Sequence, residues 1–345
     1  MIRAFCVAIL LALPFAGGAS DAEITYTIVD FKDLDGWDSD DHDSALRVFL
    51  NTCTDMKDPD WKSICALAQQ TPKAKPFFEL LFRPVIISDG SGGLFTGYFE
   101  PELNGALTPS PRFRYPLYQE PSISKEVDPW LTREEIETGP YMQDKGLEIA
   151  WVDDPVELFF LQIQGSGRIR LPDGQMLRVG YGGSNGHTYR SIGAELVRRG
   201  VYSVHQVSAQ VIKNWVRRNP VEGLELLHHN PSYVFFRKLS NVPSDKGPLG
   251  AMNRSITDKR TVAVDPKYTP LGAPVWIEKG GNGPMHRLMV AQDTGSAIKG
   301  AQRADIFFGT GDDAGRAAGR LRDPGRMAVL MPIQRAFALA PEGWE

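Results

Sequence analysis

The chain has 345 residues, of which 42% are hydrophobic and 23% charged, and a formal net charge of −4. That length accommodates two domains of ordinary size, and the composition is that of a globular protein rather than a disordered one. There is no basic tail or Lys/Arg stripe, which argues against nucleic acid as a partner, because phosphate affinity depends on clustered cations. The 34 Gly and 25 Pro suit a β-rich fold with many turns better than a helical bundle.

The N-terminus reads as a signal peptide over residues 1–22. Met1-Ile2-Arg3 is its positive start, Ala4–Phe15 its apolar stretch, and cleavage after Ala19 or Ala22 fits the small-residue rule. The apolar stretch is shorter than the roughly 20 residues needed to span a bilayer. Cys6 lies inside it rather than just after it, so no lipid-attachment site is expected, and the mature protein is expected to be exported and soluble. Export permits a disulfide between the two remaining cysteines, Cys53 and Cys65. Leu46, Phe49, Leu50 and Cys53 share one helical face, and Trp61, Ile64, Cys65 and Ala68 share another. Asp58-Pro59 reads as the cap and first position of the second helix. Two helices joined by a tight turn would face each other through these stripes and bring the thiols together.

Ile24–Asp30 reads as a strand, Phe31–Asp43 as an acidic irregular stretch, and Ala74–Arg83 as a third helix limited by Pro84. Gly92–Pro101 is a glycine-flanked strand bearing Thr96, Tyr98, Phe99 and Glu100. Its polar and aromatic groups suit a carbohydrate groove as well as an aromatic core. From about 103 to 240 the composition shifts. Val156–Gln164 reads as a β run, broken at Gly165-Ser166-Gly167. Arg168–Leu171 and Gln175–Gly180 flank the turn Pro172-Asp173-Gly174. Tyr181–Tyr189 is a loop of small, hydroxyl and amide side chains. Helices follow near Arg190–Arg199 and Gln206–Arg217, a third opens at Asn219-Pro220, and Val234–Leu239 reads as a strand. Residues 241–258 are linker-like. Beyond them short strands at 261–265, 274–278, 286–292, 304–308 and 326–331 are separated by Pro/Gly breaks, which a small closed barrel would bury without exposed edges.

Three aspartates end strand-like runs in this last region: Asp265, Asp293 and Asp305. They lack the spacing of a calcium loop, and no metal or cofactor is expected. General acid–base work on a glycosidic bond is the alternative. It requires a carboxyl that stays protonated near neutral pH, although a free Asp titrates near 3.9; burial and like charge move it up. Strand-end aspartates also commonly bind backbone N–H groups. Asp265, followed by Pro266, reads as structural on that argument, whereas Asp293 is open to either role. There is no Gly-x-Ser-x-Gly elbow, recognisable triad order, Walker motif or dinucleotide glycine pattern.

The pieces VAVDP (262–266), AQDTG (291–295) and RADIFFG (303–309) resemble the three-aspartate (3D) barrel domain named for those residues. Together with FTGYFEP (95–101), LFFLQIQGSGRI (158–169) and VGYGGSNGHTYRSIG (179–193), the chain resembles the membrane-bound lytic murein transglycosylase A family over nearly all its mature length. The resemblance implies a mainly β fold with helices: a double-psi β-barrel domain (residues 23–102 with 243–345), an inserted β-rich domain (103–242) and a glycan groove between them. It implies cleavage of the β-1,4 bond between N-acetylmuramic acid and N-acetylglucosamine in peptidoglycan, leaving a 1,6-anhydromuramoyl end. Asp305 would be the single acid/base and Asp293 its support. Thr96, Tyr98, Gln162, Gln164, Ser166, Tyr181, Asn185 and Lys299 would be groove candidates, chosen by residue type within the matching motifs. The family name implies a lipid anchor, yet no Cys stands at the cleavage site, so a product free in the periplasm is expected. A glycan hydrolase and a non-catalytic polysaccharide-binding barrel remain open alternatives.

Overall fold

The computed structural model describes residues 23–340 apart from Pro72 and Asn282, so the expected signal peptide lies outside the described residues. The chain opens with β1 (Thr25–Ile28), α1 (His42–Cys53), α2 (Pro59–Ala68) and α3 (Ala74–Leu81). Asp41 and Asp58 cap α1 and α2, accepting from the N–H groups of Ser44 and Asp60, and Pro59 occupies the first turn of α2. The stripes on α1 and α2 are buried, and Cys53 and Cys65 are disulfide-bonded with their Cα atoms 5.6 Å apart. The rings of Phe49, Trp61, Phe77, Phe78 and Phe82 stack beneath these helices at centroid distances of 5.2–6.4 Å. α3 stops short of Arg83 because Phe82 already belongs to β2 (Phe82–Ser88).

After β3 (Leu94–Glu100) the chain enters a second sheet. Its elements are β4 (Glu102–Ala106), β5 (Tyr115–Tyr118), α4 (Arg133–Thr138), β6 (Glu148–Val152), α5 (Pro155–Gln164), β7 (Gly167–Arg170), β8 (Met176–Ser184), α6 (Ile192–Arg198), α7 (Ala209–Arg218), α8 (Pro220–His228) and β9 (Val234–Lys238). The strand order is β5-β6-β4-β7-β8-β9. The chain then returns through β10 (Thr261–Val264), β11 (Pro274–Lys279), β12 (Met285–Asp293), β13 (Arg303–Thr310), α9 (Gly311–Ala318), β14 (Arg322–Pro332) and α10 (Ile333–Leu339). The first sheet runs β1-β2-β14-β11-β12-β10-β13-β3, and β14 also pairs with β3. β14 makes this closure possible through its 11-residue length. Arg322–Pro324 pair with β3, Gly325–Val329 with β11, and Ala328–Pro332 with β2. Six strands therefore close into a barrel, and β1 and β2 extend from it. Val262, Val264, Val275, Leu288, Val290 and Ile306 share one buried core with the N-terminal helices, while the second sheet has cores of its own.

Two elements differ from their sequence readings, and the smaller difference is Tyr181–Ser184, read as loop but part of β8 and paired with β9. Val156–Gln164 is helix, not strand. Asp154 caps it by accepting from the N–H groups of Val156 and Glu157, Pro155 starts it, and Gly165 ends it in the left-handed region at φ 76°. The misreading has a physical cause. α5 is buried on two sides, Leu158 and Leu161 against the sheet core and Val156 and Phe159 against the helices α6–α8, so no single-face stripe appears.

Candidate active site

The three aspartate-bearing strands are neighbours. β10 runs parallel to β12 on one side and antiparallel to β13 on the other. Ala263 registers with Asp293 across the first pair and with Asp305 across the second, the first after a register shift beyond Val262. β3 lies parallel to β13 on its far side, with Thr96 opposite Asp305 and Tyr98 opposite Phe307. Thr96, Asp305, Ala263 and Asp293 thus form one row across four barrel strands. Alternation along β3 puts Tyr98 on the same face as Thr96.

The hydrogen bonds differ between the two acids. Asp305 Oδ1 accepts from the Thr96 hydroxyl at 2.5 Å, and Thr96 Oγ1 in turn accepts from Arg303 Nη2 at 2.7 Å. Asp293 Oδ2 accepts from the Tyr98 hydroxyl at 2.9 Å, and its Oδ1 accepts from the backbone N–H groups of Thr294 at 2.9 Å and Ala251 at 3.0 Å. The Tyr98 ring rests 5.3 Å from that of Phe307. Both carboxyls are half-buried, and desolvation is the main force on each. It raises Asp305 above the usual carboxylate range against the opposing pull of the Thr96 hydroxyl and the Arg303 charge. It raises Asp293 to about 6, with a smaller push from the charge of Asp305 and an opposing pull from its N–H and hydroxyl donors. Tyr98 is pushed well above its ordinary value, first by burial and then by the carboxylate it faces, so it stays a donor. The site therefore holds two carboxyls whose pKa values burial raises, with donors fixed around them.

Asp265 stands apart from this chemistry. Its Oδ1 accepts from the N–H of Lys267 at 3.2 Å and its Oδ2 from that of Gly300 at 3.0 Å, which ties the end of β10 to the loop between β12 and β13. Lys299, next to Gly300, is exposed on that loop, and Tyr181 is exposed on β8. Because α5 is a helix, Gln162 and Gln164 do not share a face. Gln162 is buried, and its amide lies beside the Tyr233 hydroxyl rather than in an open groove. Gln164 Oε1 accepts from the N–H of Phe99 at 3.0 Å and so braces β3 beside the acids. Ser166 is buried. Asn185 is occupied internally. Its amide donates to the carbonyls of Leu131 and Pro231, both at 2.8 Å, and accepts from the N–H of Tyr233 at 2.8 Å. That geometry makes Asn185 a buried clip for its loop.

Two residues of consequence were missed in the sequence. Glu100, at the end of β3, is buried and accepts from Arg168 Nε at 2.8 Å, Arg178 Nη2 at 2.9 Å and Thr310 Oγ1 at 2.8 Å. The same arginines donate to carbonyls of Pro243, Ser244 and Lys246, so this cluster fastens the second sheet and the returning segment to the barrel. Arg303 is the other. A cleft of about 960 Å³ opens between α1, β9 and the returning segment 239–257. Neither Asp293 nor Asp305 lines it, but its wall includes the segment whose Ala251 holds Asp293.

Family models describing an MltA specific insert domain and a 3D domain match residues 94–237 and 260–331. A membrane-bound lytic murein transglycosylase A of Vibrio cholerae is 34% identical over 72% of this chain and 69% of its own length. The crystal structure of a membrane-bound lytic murein transglycosylase from Agrobacterium tumefaciens superposes with a TM-score of 0.81, at 32% identity, over 91% of this chain and 99% of that one. The structure of Escherichia coli MltA with bound chitohexaose superposes with a TM-score of 0.73, at 29% identity, over 89% and 94% of the two chains.

Proposed function

Because the chain belongs to the membrane-bound lytic murein transglycosylase A family, we propose that this peptidoglycan lytic transglycosylase cleaves the MurNAc-β-1,4-GlcNAc bond with Asp305 as its single acid/base. The observation that carries the reading is the row Thr96–Asp305–Ala263–Asp293, in which a half-buried carboxyl with a raised pKa is held by one hydroxyl. The protonated Asp305 gives its proton to the glycosidic oxygen as the C1–O bond breaks and positive charge develops at the sugar C1. The C6 hydroxyl of the same sugar then attacks C1, and the Asp305 carboxylate takes the hydroxyl proton, which returns the acid to its starting form. Ordinary glycosidases need a second carboxyl to activate water or to form a covalent bond. Here the attacking group already belongs to the substrate, so its orientation supplies most of what that second carboxyl would. Asp293, tied by Tyr98 and two N–H groups, has its oxygens committed to donors and acts by holding the site rather than by attacking.

Tyr181 and Lys299 are exposed and remain the groove residues best placed to meet a glycan, while Thr96 and Tyr98 act on the carboxyls. A glycan in this site is supported by the E. coli relative, solved with chitohexaose bound. The place of action is the cell envelope, as the names of the membrane-bound relatives suggest. Mass spectrometry of soluble products from purified sacculi tests the reaction. Products lighter by one water than hydrolytic fragments support it. Reducing-end products would make the enzyme a hydrolase, and binding to sacculi with nothing released would make the barrel a binding module.

A further inference from the structure

We infer that Arg303 is a positioning residue that acts through Thr96 to fix which oxygen of Asp305 carries the proton; the inference rests on Asp305 being the acid/base. Arg303 precedes Asp305 by two residues on β13, so the two side chains leave the same face of the strand. Across the parallel pair, Arg303 registers with Leu94 and Asp305 with Thr96. The guanidinium is held at its other branch. Nη1 donates to the carbonyl of Ala304 at 2.6 Å and to that of Leu94 at 3.3 Å, which uses both its hydrogens and locks the plane. Nη2 then points at Thr96 Oγ1, 2.7 Å away.

Direction follows from the inventory of hydrogens. A guanidinium has no acceptor, so Thr96 Oγ1 must accept from Arg303. The single hydroxyl hydrogen of Thr96 is then free to donate, and its partner is Asp305 Oδ1 at 2.5 Å. A proton on Oδ1 would face that hydrogen, so the two cannot share the Thr96–Asp305 contact while the hydroxyl donates to Asp305. The acid form of Asp305 therefore carries its proton on Oδ2, the oxygen with no donor among the described residues, which is the one free to reach a glycosidic oxygen. Without Arg303 the Thr96 hydroxyl can reverse and accept from a protonated Oδ1, and the acid is spread over two forms of which one faces the protein.

The test combines kinetics with direct titration of the Asp305 carboxyl, read by ¹³C NMR in the full chain. Arg303→Met is expected to lower kcat on the order of tenfold, a loss typical of a misaimed reacting group, with KM little changed. It is also expected to move the Asp305 midpoint upward, because the positive charge that favours the carboxylate is gone. Arg303→Lys keeps the charge and should restore the midpoint, but its flexible ammonium lacks the fixed fork of the guanidinium and should restore only part of kcat. A Thr96→Val/Arg303→Met double variant should have the kcat of Thr96→Val alone, since the arginine works through the hydroxyl. Multiplicative losses in the double variant, or an Arg303→Met protein with unchanged kcat and midpoint, would overturn the inference. The midpoint is read without turnover, so it reports on Arg303 even if Asp305→Asn proves active and the acid/base assignment itself fails. Thermal unfolding of each variant identifies one that has lost its fold, and Arg303→Lys then carries the comparison.

Discussion

Strand β3 carries two carboxylate neighbourhoods four residues apart, and they are built on opposite rules. At its end, Glu100 is buried and met by two guanidinium groups and a hydroxyl, so its charge is compensated. In its middle, Thr96 and Tyr98 offer only hydroxyls to Asp305 and Asp293, and burial is left largely uncompensated. The first arrangement makes a fastening, and the second raises the pKa of both acids. Partner charge, rather than depth alone, separates a structural carboxylate from a chemical one.

The comparison can be broken most forcefully at Glu100. Glu100→Ala leaves Arg168 and Arg178 facing each other with no counter-charge, and removing one partner of a buried pair costs about 3–5 kcal/mol. Chemical denaturation should show that loss, and because the cluster joins the two sheets the transition should also become less cooperative. A protein of unchanged stability would mean that the arginines find other partners. The next effect is remote from both carboxylate groups and serves as a reference. Cys53→Ser opens a bridge spanning 12 residues in sequence and should cost about 3 kcal/mol by chain entropy, without altering product release.

The smallest effect sharpens the comparison through pH. Asp293 is raised to about 6 in the folded chain from an ordinary value near 3.9, so the folded state binds more protons than the unfolded state between those values. Stability from this group is therefore present below about pH 4 and lost as pH rises through about 6. Other acids give slopes of their own, so the readout is a difference. The unfolding free energy of Asp293→Asn relative to wild type should climb between pH 4 and 6 and then level off. A flat difference would mean that Asp293 titrates alike in the folded and unfolded chain and would contradict the effect of its burial.

Much of this was legible in the sequence. The barrel strands at 261–265, 274–278, 286–292, 304–308 and 326–331 were readable because short apolar runs between Pro/Gly breaks have few other uses, and each is strand in the structure. The helices α1 and α2 were readable because each buries one stripe. α5 was not, since burial on two sides erased its period. Glu100 was visible as a residue but not as a fastening, because its arginines lie 68 and 78 positions away. Arg303 was hidden for the same reason. Its hydroxyl partner is 207 positions distant, and only the parallel pairing of β3 with β13 brings them together.

The most direct measurement follows Asp305→Asn through both stability and product release from sacculi. A raised-pKa carboxyl contributes no stability at neutral pH, so the unfolding midpoint of the variant should hold or rise. Release of soluble product should fall by roughly 10²–10⁴-fold, the usual contribution of a positioned acid/base. A variant that keeps releasing product, or one that loses stability as Glu100→Ala is expected to, would contradict the assignment of Asp305 as a chemical carboxylate.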